Sequence, residues 1–391
     1  MTSPEKPIRV SVVAVMPGTK NGMTLMTQRI VDELRDRYRV RLCDVGRGYK
    51  KSNRIWLAKK AIQSIFSGLR IACWKANSGE YLYIPINSNA GLLYNAWQGI
   101  FARLRGFRVV VHHHGWSYLY GHDRRMAWLI RILGSQAVHV VACPEMLHEL
   151  KTIYGTKFES AFVTPGIVGI DSDEATSLTK SEIQGRPLRL GMLSNLMITK
   201  GVGEAIDTFE EMRRRGADVE LHLGGPIRGA DAEERIAQAI ARSEGRIIHH
   251  GPVYGDDKKA FYENLDVFLF PTLYRNESWG IVLNEALMAG VPVMTYRRGC
   301  TGYVVGGDGG LVIQRDENFA KLSSDLMEQW IANPDAYQVA RQSAYRRGQE
   351  LREEAEHQLS LFIDAFENGN WPVMPPCEQG IVPLQSVAAR S

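Results

Sequence analysis

Short runs of apolar residues alternate along this chain with longer stretches in which apolar positions recur every three or four residues. Arg9–Val15 is the first run, and Met23–Tyr38 follows with helical spacing across the loop Met16–Gly22. Further runs at Arg39–Val45, Tyr81–Ile86, Phe107–His112 and Ala137–Cys143 have helical patterns between them. From Pro187 the alternation starts again. Strands fit Leu188–Leu193, Val219–Gly224, Arg246–His250, Val267–Pro271, Val291–Thr295 and Leu311–Ile313. Helices fit Val202–Arg215, Ala232–Ser243, Lys258–Leu265, Ile281–Ala289 and Glu317–Ala332. Strands alternating with helices imply parallel sheets, so the pattern predicts an α/β protein in two halves. The polar stretch Ile167–Arg186 reads as the connection between them. Pro334–Arg347 and Arg352–Phe366 read as closing helices with Gly348 as the stop between them, and the Pro-containing tail from Glu367 reads as extended.

The segment from Asp266 to Met294 carries the most chemistry. It reads as buried strand, loop, short helix and second buried strand, with Glu277 and Glu285 at the two ends of an eight-residue step. Gly280 precedes the helix, so the first-turn amides around Ile281 and Val282 are open to an anion. Glu285 lies about one turn deeper, in reach of a ribose whose diphosphate sits at the helix mouth. Glu277, Ser278 and Trp279 stay in the loop, on the side where a group attached to that diphosphate would lie. Lys200-Gly201 opens another helix one strand after the linker, a place suited to a phosphate. The first βα loop holds Gly18 and Gly22, which let backbone approach a ligand, although the dinucleotide fingerprint is not matched. Two glutamates at this spacing also occur on ordinary solvated helices, so the flanking strands decide the reading.

Those flanks, Asp266-Val267-Phe268-Leu269-Phe270-Pro271 and Gly290-Val291-Pro292-Val293-Met294, resemble the retaining GT-B glycosyltransferases of family 4, the group 1 glycosyltransferases. The resemblance implies a GT-B fold: two Rossmann-like parallel-sheet domains facing a central cleft, with a C-terminal helix crossing back to the first domain. The implied organisation is an acceptor-side domain at 1–170, a linker at 171–186, a donor domain at 187–348 and a returning helix plus tail at 349–391. It implies a nucleotide-diphosphate sugar, of UDP or GDP type, as co-substrate, no cofactor and no metal. By the same resemblance Lys200 neutralises the diphosphate, Glu277 orients the donor sugar, and His114 faces that sugar from the other domain. The family's second phosphate-binding cation falls at Asn195, which is a departure. Val253, in His250-Gly251-Pro252-Val253-Tyr254, falls where backbone groups contact the base. A catalytically silent binding subunit, favoured by Asn195, and a sugar-nucleotide epimerase remain as rivals.

Charge changes the picture in one half. Between Val45 and Cys143 there are fourteen Lys or Arg and only two acids, Glu80 and Asp123, while the whole chain carries a net charge of only +4. Such a half suits an acidic surface or a phosphorylated acceptor, for instance a lipid-pyrophosphate-linked glycan of bacterial surface polysaccharide assembly. Ile55, Ala58, Ile62, Ile65, Phe66, Leu69, Ala72 and Cys73 repeat at helical spacing among these cations. Two readings stay open for them: a helix lying on an anionic membrane, or an amphipathic helix packed on its own sheet. Nucleic acid is not expected, since no binding motif or stacking platform accompanies the charge. His112, His113 and His114 end a strand without a carboxylate or thiol to complete a metal site, and Asp171-Ser172-Asp173 reads as solvated linker charge. The five scattered cysteines read as free thiols of a reducing compartment, and with no run long enough to span a bilayer they point to the cytoplasm, including the inner membrane face.

Overall fold

The computed structural model describes residues 8–16, 22–46, 54–77, 79–155, 160–164, 166 and 183–371. The chain divides into two compact units, Met1–Gly169 with Glu354–Ser391, and Ile170–Glu353. Each contains a six-stranded sheet whose paired strands are all parallel.

In the first unit the order along the chain is β1 (Arg9–Ala14), α1 (Gly22–Arg37), β2 (Arg39–Asp44), α2 (Arg54–Cys73), β3 (Tyr81–Ile86) and α3 (Gly91–Leu104). It continues with β4 (Arg108–His113), α4 (Arg124–Leu133), β5 (Val138–Val141), α5 (Pro144–Tyr154) and β6 (Ser160–Val163). The strand order across the sheet is β2-β1-β3-β4-β5-β6. Four-residue β6 pairs with β5 and was not anticipated, because so short a segment shows too little alternation to stand out. Asp123 caps α4 by accepting from Arg125 N at 2.8 Å, so one of the two acids of the basic half is spent locally. The other, Glu80, is buried and accepts from Ser11 Oγ at 2.8 Å and Arg41 Nη2 at 2.6 Å.

The second unit runs β7 (Leu188–Leu193), α6 (Val202–Arg214), β8 (Val219–Gly224), α7 (Ala230–Arg242), β9 (Ile247–Gly251) and α8 (Asp256–Glu263). Then come β10 (Val267–Phe270), α9 (Ile281–Met288), β11 (Val293–Tyr296), α10 (Thr301–Val305), β12 (Gly310–Ile313), α11 (Phe319–Ala332) and α12 (Pro334–Asn368). The sheet order is β12-β11-β10-β7-β8-β9, the doubly wound arrangement of dinucleotide-binding folds. A buried carboxylate locks this unit. Asp266 accepts from Arg186 Nη1 and Nη2 at 2.6 and 2.7 Å, from Arg189 N at 2.8 Å and from Tyr337 OH at 3.2 Å. One side chain thereby joins the entry to β7, the entry to β10 and the start of α12.

The end of the chain corrects one expectation. Residues 334–368 form one uninterrupted helix, so Gly348 stops nothing. A Cβ at Gly348 would lie 2.8 Å from Met288 N and 2.9 Å from Leu287 C, so glycine serves here to let α12 approach the end of α9. Beyond Glu354 the helix packs in the first unit, where Leu359, Phe362, Ile363 and Phe366 join Val10, Val12, Tyr83 and Val140 in one buried cluster. Tyr38 OH donates to Ile363 O at 2.9 Å, and Arg37 pairs with Asp364.

Cys43, which is buried, and Cys73, which is exposed, are free thiols. Among the described residues no helix is long and apolar enough to cross a membrane.

Candidate functional site

The strand order of the second unit creates the site. β7 leads on to β8 on one side and β10 leads on to β11 on the other, so the loops leaving these two neighbouring strands diverge and open a crevice above their carboxyl ends. Lys200 lies on the loop after β7 and Glu277 on the loop after β10. Leu273 N donates to Thr199 O at 3.0 Å and ties the two loops together. Gly201, at φ 91°, lies against the Pro271 carbonyl where any Cβ would collide, which is why the Lys-Gly pair has its glycine.

Lys200 Nζ and Glu277 Oε2 form a part-buried ion pair at 2.6 Å. Thr272 Oγ1 donates to the same carboxylate oxygen at 3.3 Å, and the ammonium lies 4.4 Å from the centre of the Tyr274 ring, a cation–π contact. The loop itself is stapled from behind. Buried Arg298 donates from Nε to Tyr274 O at 2.9 Å, and Cys300 N donates to Ser278 O at 2.6 Å. Gly299, at φ 57°, leaves room for the Glu277 and Ser278 carbonyls, each 2.6 Å from where its Cβ would stand.

Gly280 is the N-cap of α9 in the left-handed region and provides no side-chain cap. Leu283 N turns back to Gly280 O at 2.9 Å, so the amides of Ile281 and Val282 have no intrahelical acceptor and point out of the helix mouth. One turn deeper, Glu285 is gripped at both oxygens: Lys258 Nζ donates to Oε1 at 2.6 Å and Tyr262 OH to Oε2 at 2.9 Å. Burial, reinforced by the neighbouring Glu285 charge, pushes the Tyr262 phenol well above its ordinary range, so it remains a donor. Lys258 and Tyr262 were not singled out from sequence. Their signal was there in the i, i+4 spacing on α8, which places both on one helical face. Thr272, Tyr274 and Arg298 were missed as well, and nothing in their spacing marks them.

The other sequence-derived candidates are placed as follows. Trp279 is buried, with Nε1 donating to Asn284 Oδ1 at 3.1 Å, so its side chain serves the core. Ser278, Ile281 and Val282 are half-buried at the mouth of α9, Asn195 is exposed in the loop after β7, and Val253 is buried after β9. Gly22 is the first residue of α1 in the other unit, while Gly18 and Asp171-Ser172-Asp173 lie outside the described residues.

His114 follows β4 in the first unit. Its ring lies against that of His112, tilted by 35° with centroids 3.9 Å apart, whereas His113 points to the opposite face of the sheet, toward Tyr118 and His139, each at 3.0 Å. Desolvation lowers the His114 pKa to about 4 and that of His139 to about 3. His112 and His113 are lowered too, first by burial and then by neighbouring imidazoles. All four rings are therefore neutral near pH 7, fit to hydrogen-bond but not to carry charge.

Residues 187–329 match the family described as glycosyl transferases, group 1. The matched stretch lies within the second unit, and the protein has the GT-B fold. Among curated proteins, a stretch of 129 residues is 26% identical to the capsular polysaccharide biosynthesis glycosyltransferase CapM of Staphylococcus aureus, covering 33% of each chain. Another of 219 residues is 25% identical to the D-inositol 3-phosphate glycosyltransferase of Arthrobacter sp. (strain FB24), covering 54% of this chain and 51% of that one. The matches therefore span between a third and about half of those relatives. Among solved structures, Anabaena HepE in complex with UDP superposes with a TM-score of 0.66 at 14% identity, over 91% of this chain and 100% of that one. Sucrose-phosphate synthase from Thermosynechococcus elongatus gives a TM-score of 0.68 at 15% identity, over 92% and 99%.

Proposed function

We propose that this chain is a retaining, metal-independent glycosyltransferase of family 4 that takes a sugar from a nucleotide-diphosphate donor bound by the second unit. The observation that carries the reading is the crevice itself: two lysines, two carboxylates and an uncapped helix mouth gathered at the switch point of a doubly wound sheet. The diphosphate would lie at the mouth of α9 and draw Lys200 Nζ away from Glu277. The ammonium and the amides of Ile281 and Val282 then stabilise the charge that develops on the departing diphosphate, the role a metal ion fills elsewhere. Glu277, released from Lys200, accepts from hydroxyls of the donor sugar. Glu285 accepts from the ribose, with Lys258 and Tyr262 holding its carboxylate in place. We assign His114 as a neutral hydrogen-bonding group for the sugar, and the backbone around Val253 to the base.

The base we propose is uracil or guanine, and HepE, which shares the fold, was solved with UDP. The first unit would bind the acceptor, a glycan or lipid-pyrophosphate-linked glycan at the cytoplasmic face of the membrane. Its excess of cations over acids supports this, as does the partial match to a capsular polysaccharide enzyme. A second reading, a donor-binding subunit without turnover, draws on the exposed Asn195 in place of a phosphate-binding arginine.

A thermal-shift panel of UDP, GDP and their sugars tests the donor site, because ligand bound to the native state raises the unfolding temperature. Mass spectrometry of donor incubated with candidate acceptors tests turnover. Stabilisation by one nucleotide with transfer supports the enzyme, and stabilisation without transfer to any acceptor supports the subunit. No stabilisation by any nucleotide overturns both.

A further inference from the structure

The helix α2 is amphipathic in the reverse of the usual sense. Its buried side holds Ser64, Ser67 and Gly68 alongside Ile71, whereas Ile62, Ile65, Phe66 and Leu69 face solvent, Phe66 at 63% exposure. The small inward residues have a structural purpose. Any Cβ at Gly68 would strike the Trp97 indole of α3, and Gln98 Nε2 donates to Ser67 Oγ at 2.8 Å. Close packing on α3 therefore accounts for the inward side and leaves the apolar stripe unexplained. For Ile62, Ile65, Phe66 and Leu69, packing on their own sheet, one of the two readings left open by the sequence, is overturned, while the side chains of Ile55 and Ala58 lie outside the described residues.

The stripe does not stand alone. α2 packs along α3 and α3 along α4, and each neighbour adds a large exposed apolar side chain, Leu104 at 73% and Trp128 at 65%. Single exposed apolar residues are normal on soluble proteins, but a band across three adjacent helices marks an interaction surface. Its charge indicates the partner. Arg70, Arg103, Arg124 and Arg131 are exposed on the same three helices. None of the three contains an acid, and the two acids of the surrounding sequence are engaged, Glu80 with Arg41 and Asp123 with Arg125. Aromatic and aliphatic side chains set among arginines that, among the described residues, form no ion pair with an acid match the interfacial region of an anionic bilayer.

We propose that the α2–α3–α4 face of the first unit docks on an anionic lipid surface, with Phe66, Leu69, Leu104 and Trp128 entering the headgroup layer and the arginines pairing with lipid phosphates. This goes beyond the donor-site reading and does not depend on it. The test is flotation of the full chain with vesicles of phosphatidylcholine alone or with phosphatidylglycerol added. Binding is expected only with the anionic vesicles, and it should weaken as salt rises. The double variants Phe66→Ser with Leu69→Ser, and Arg124→Glu with Arg131→Glu, should each lower the vesicle-bound fraction about tenfold, as expected when one component of a two-component anchor is lost. Val339→Ser, an exposed apolar site of the other unit, should leave it unchanged. Nucleotide thermal shifts should be the same in all variants, which separates failure here from failure of the donor site. Equal binding to neutral vesicles, or binding indifferent to both double variants, overturns the proposal. So does a concentration-dependent dimer in light scattering without vesicle binding, which would assign the face to a second copy of the chain.

Discussion

At the scale of single residues, two carboxylates are held in readiness by different devices. Glu277 is neutralised by Lys200 and is freed only when something more anionic claims the ammonium. Glu285 is fixed on two sides and has lone pairs left for a ligand. Lys200→Ala should weaken nucleotide-diphosphate binding by about 1.5–3 kcal/mol, the range for a charge-assisted hydrogen bond, read as a roughly 10- to 150-fold rise in Kd by calorimetry. The nucleoside lacking phosphates should bind the variant and the parent alike. Tyr262→Phe removes one restraint on Glu285 and should cost about 1–2 kcal/mol of stability in urea unfolding, with weaker binding of every ribonucleotide. The roles of Lys200, Glu277 and Glu285 were proposed from sequence because charged residues beside glycines and strand ends leave a local trace. Arg298 was not, because its function is to reach a carbonyl twenty-four positions away.

At the scale of elements, glycines separate turn chemistry from packing. If Gly348 ended a helix, alanine there would do little harm. In a continuous α12 pressed on α9, Gly348→Ala forces backbone apart and should destabilise the protein by about 1–3 kcal/mol, despite the roughly 1 kcal/mol gained in helix propensity. A chemical denaturation midpoint that rises in this variant would contradict the packing account. Gly201→Ala should be worse placed still, since it meets both a positive φ and the Pro271 carbonyl. It should lower stability and displace Lys200 together. Hydrophobic periodicity foretold nearly all of the strands and helices. It mistook Gly348 for a stop because a glycine needed for helix contact and one needed for a cap look identical in one dimension.

At the scale of the whole molecule, acid sensitivity is built into the first sheet. Imidazoles titrate near 6.5 when unfolded, but burial holds His139 near 3 and His114 near 4, with His112 and His113 also lowered. Below pH 6.5 the unfolded chain binds more protons than the native one, so stability is present above that pH and is lost progressively as the pH falls toward 4 and 3. Urea unfolding at pH 7.5, 6 and 5 should give falling midpoints, and His139→Gln should flatten the decline. A second whole-molecule restraint is the buried Asp266 network. Asp266→Ala would strand Arg186 and should cost about 3–5 kcal/mol.

The order of strands and helices, the two halves, the excess of cations and the Glu277–Glu285 step were all determined by the sequence alone, because each depends on near neighbours and on periods of two or 3.6 residues. What only the tertiary structure decided was which distant groups meet: Lys200 with Glu277, Lys258 and Tyr262 with Glu285, Arg186 with Asp266. It also decided which side of α2 faces water. An amphipathic stripe specifies that a helix has two faces, but which of them is buried depends on what stands opposite, and opposite Gly68 of α2 stands an indole that leaves no room for a Cβ.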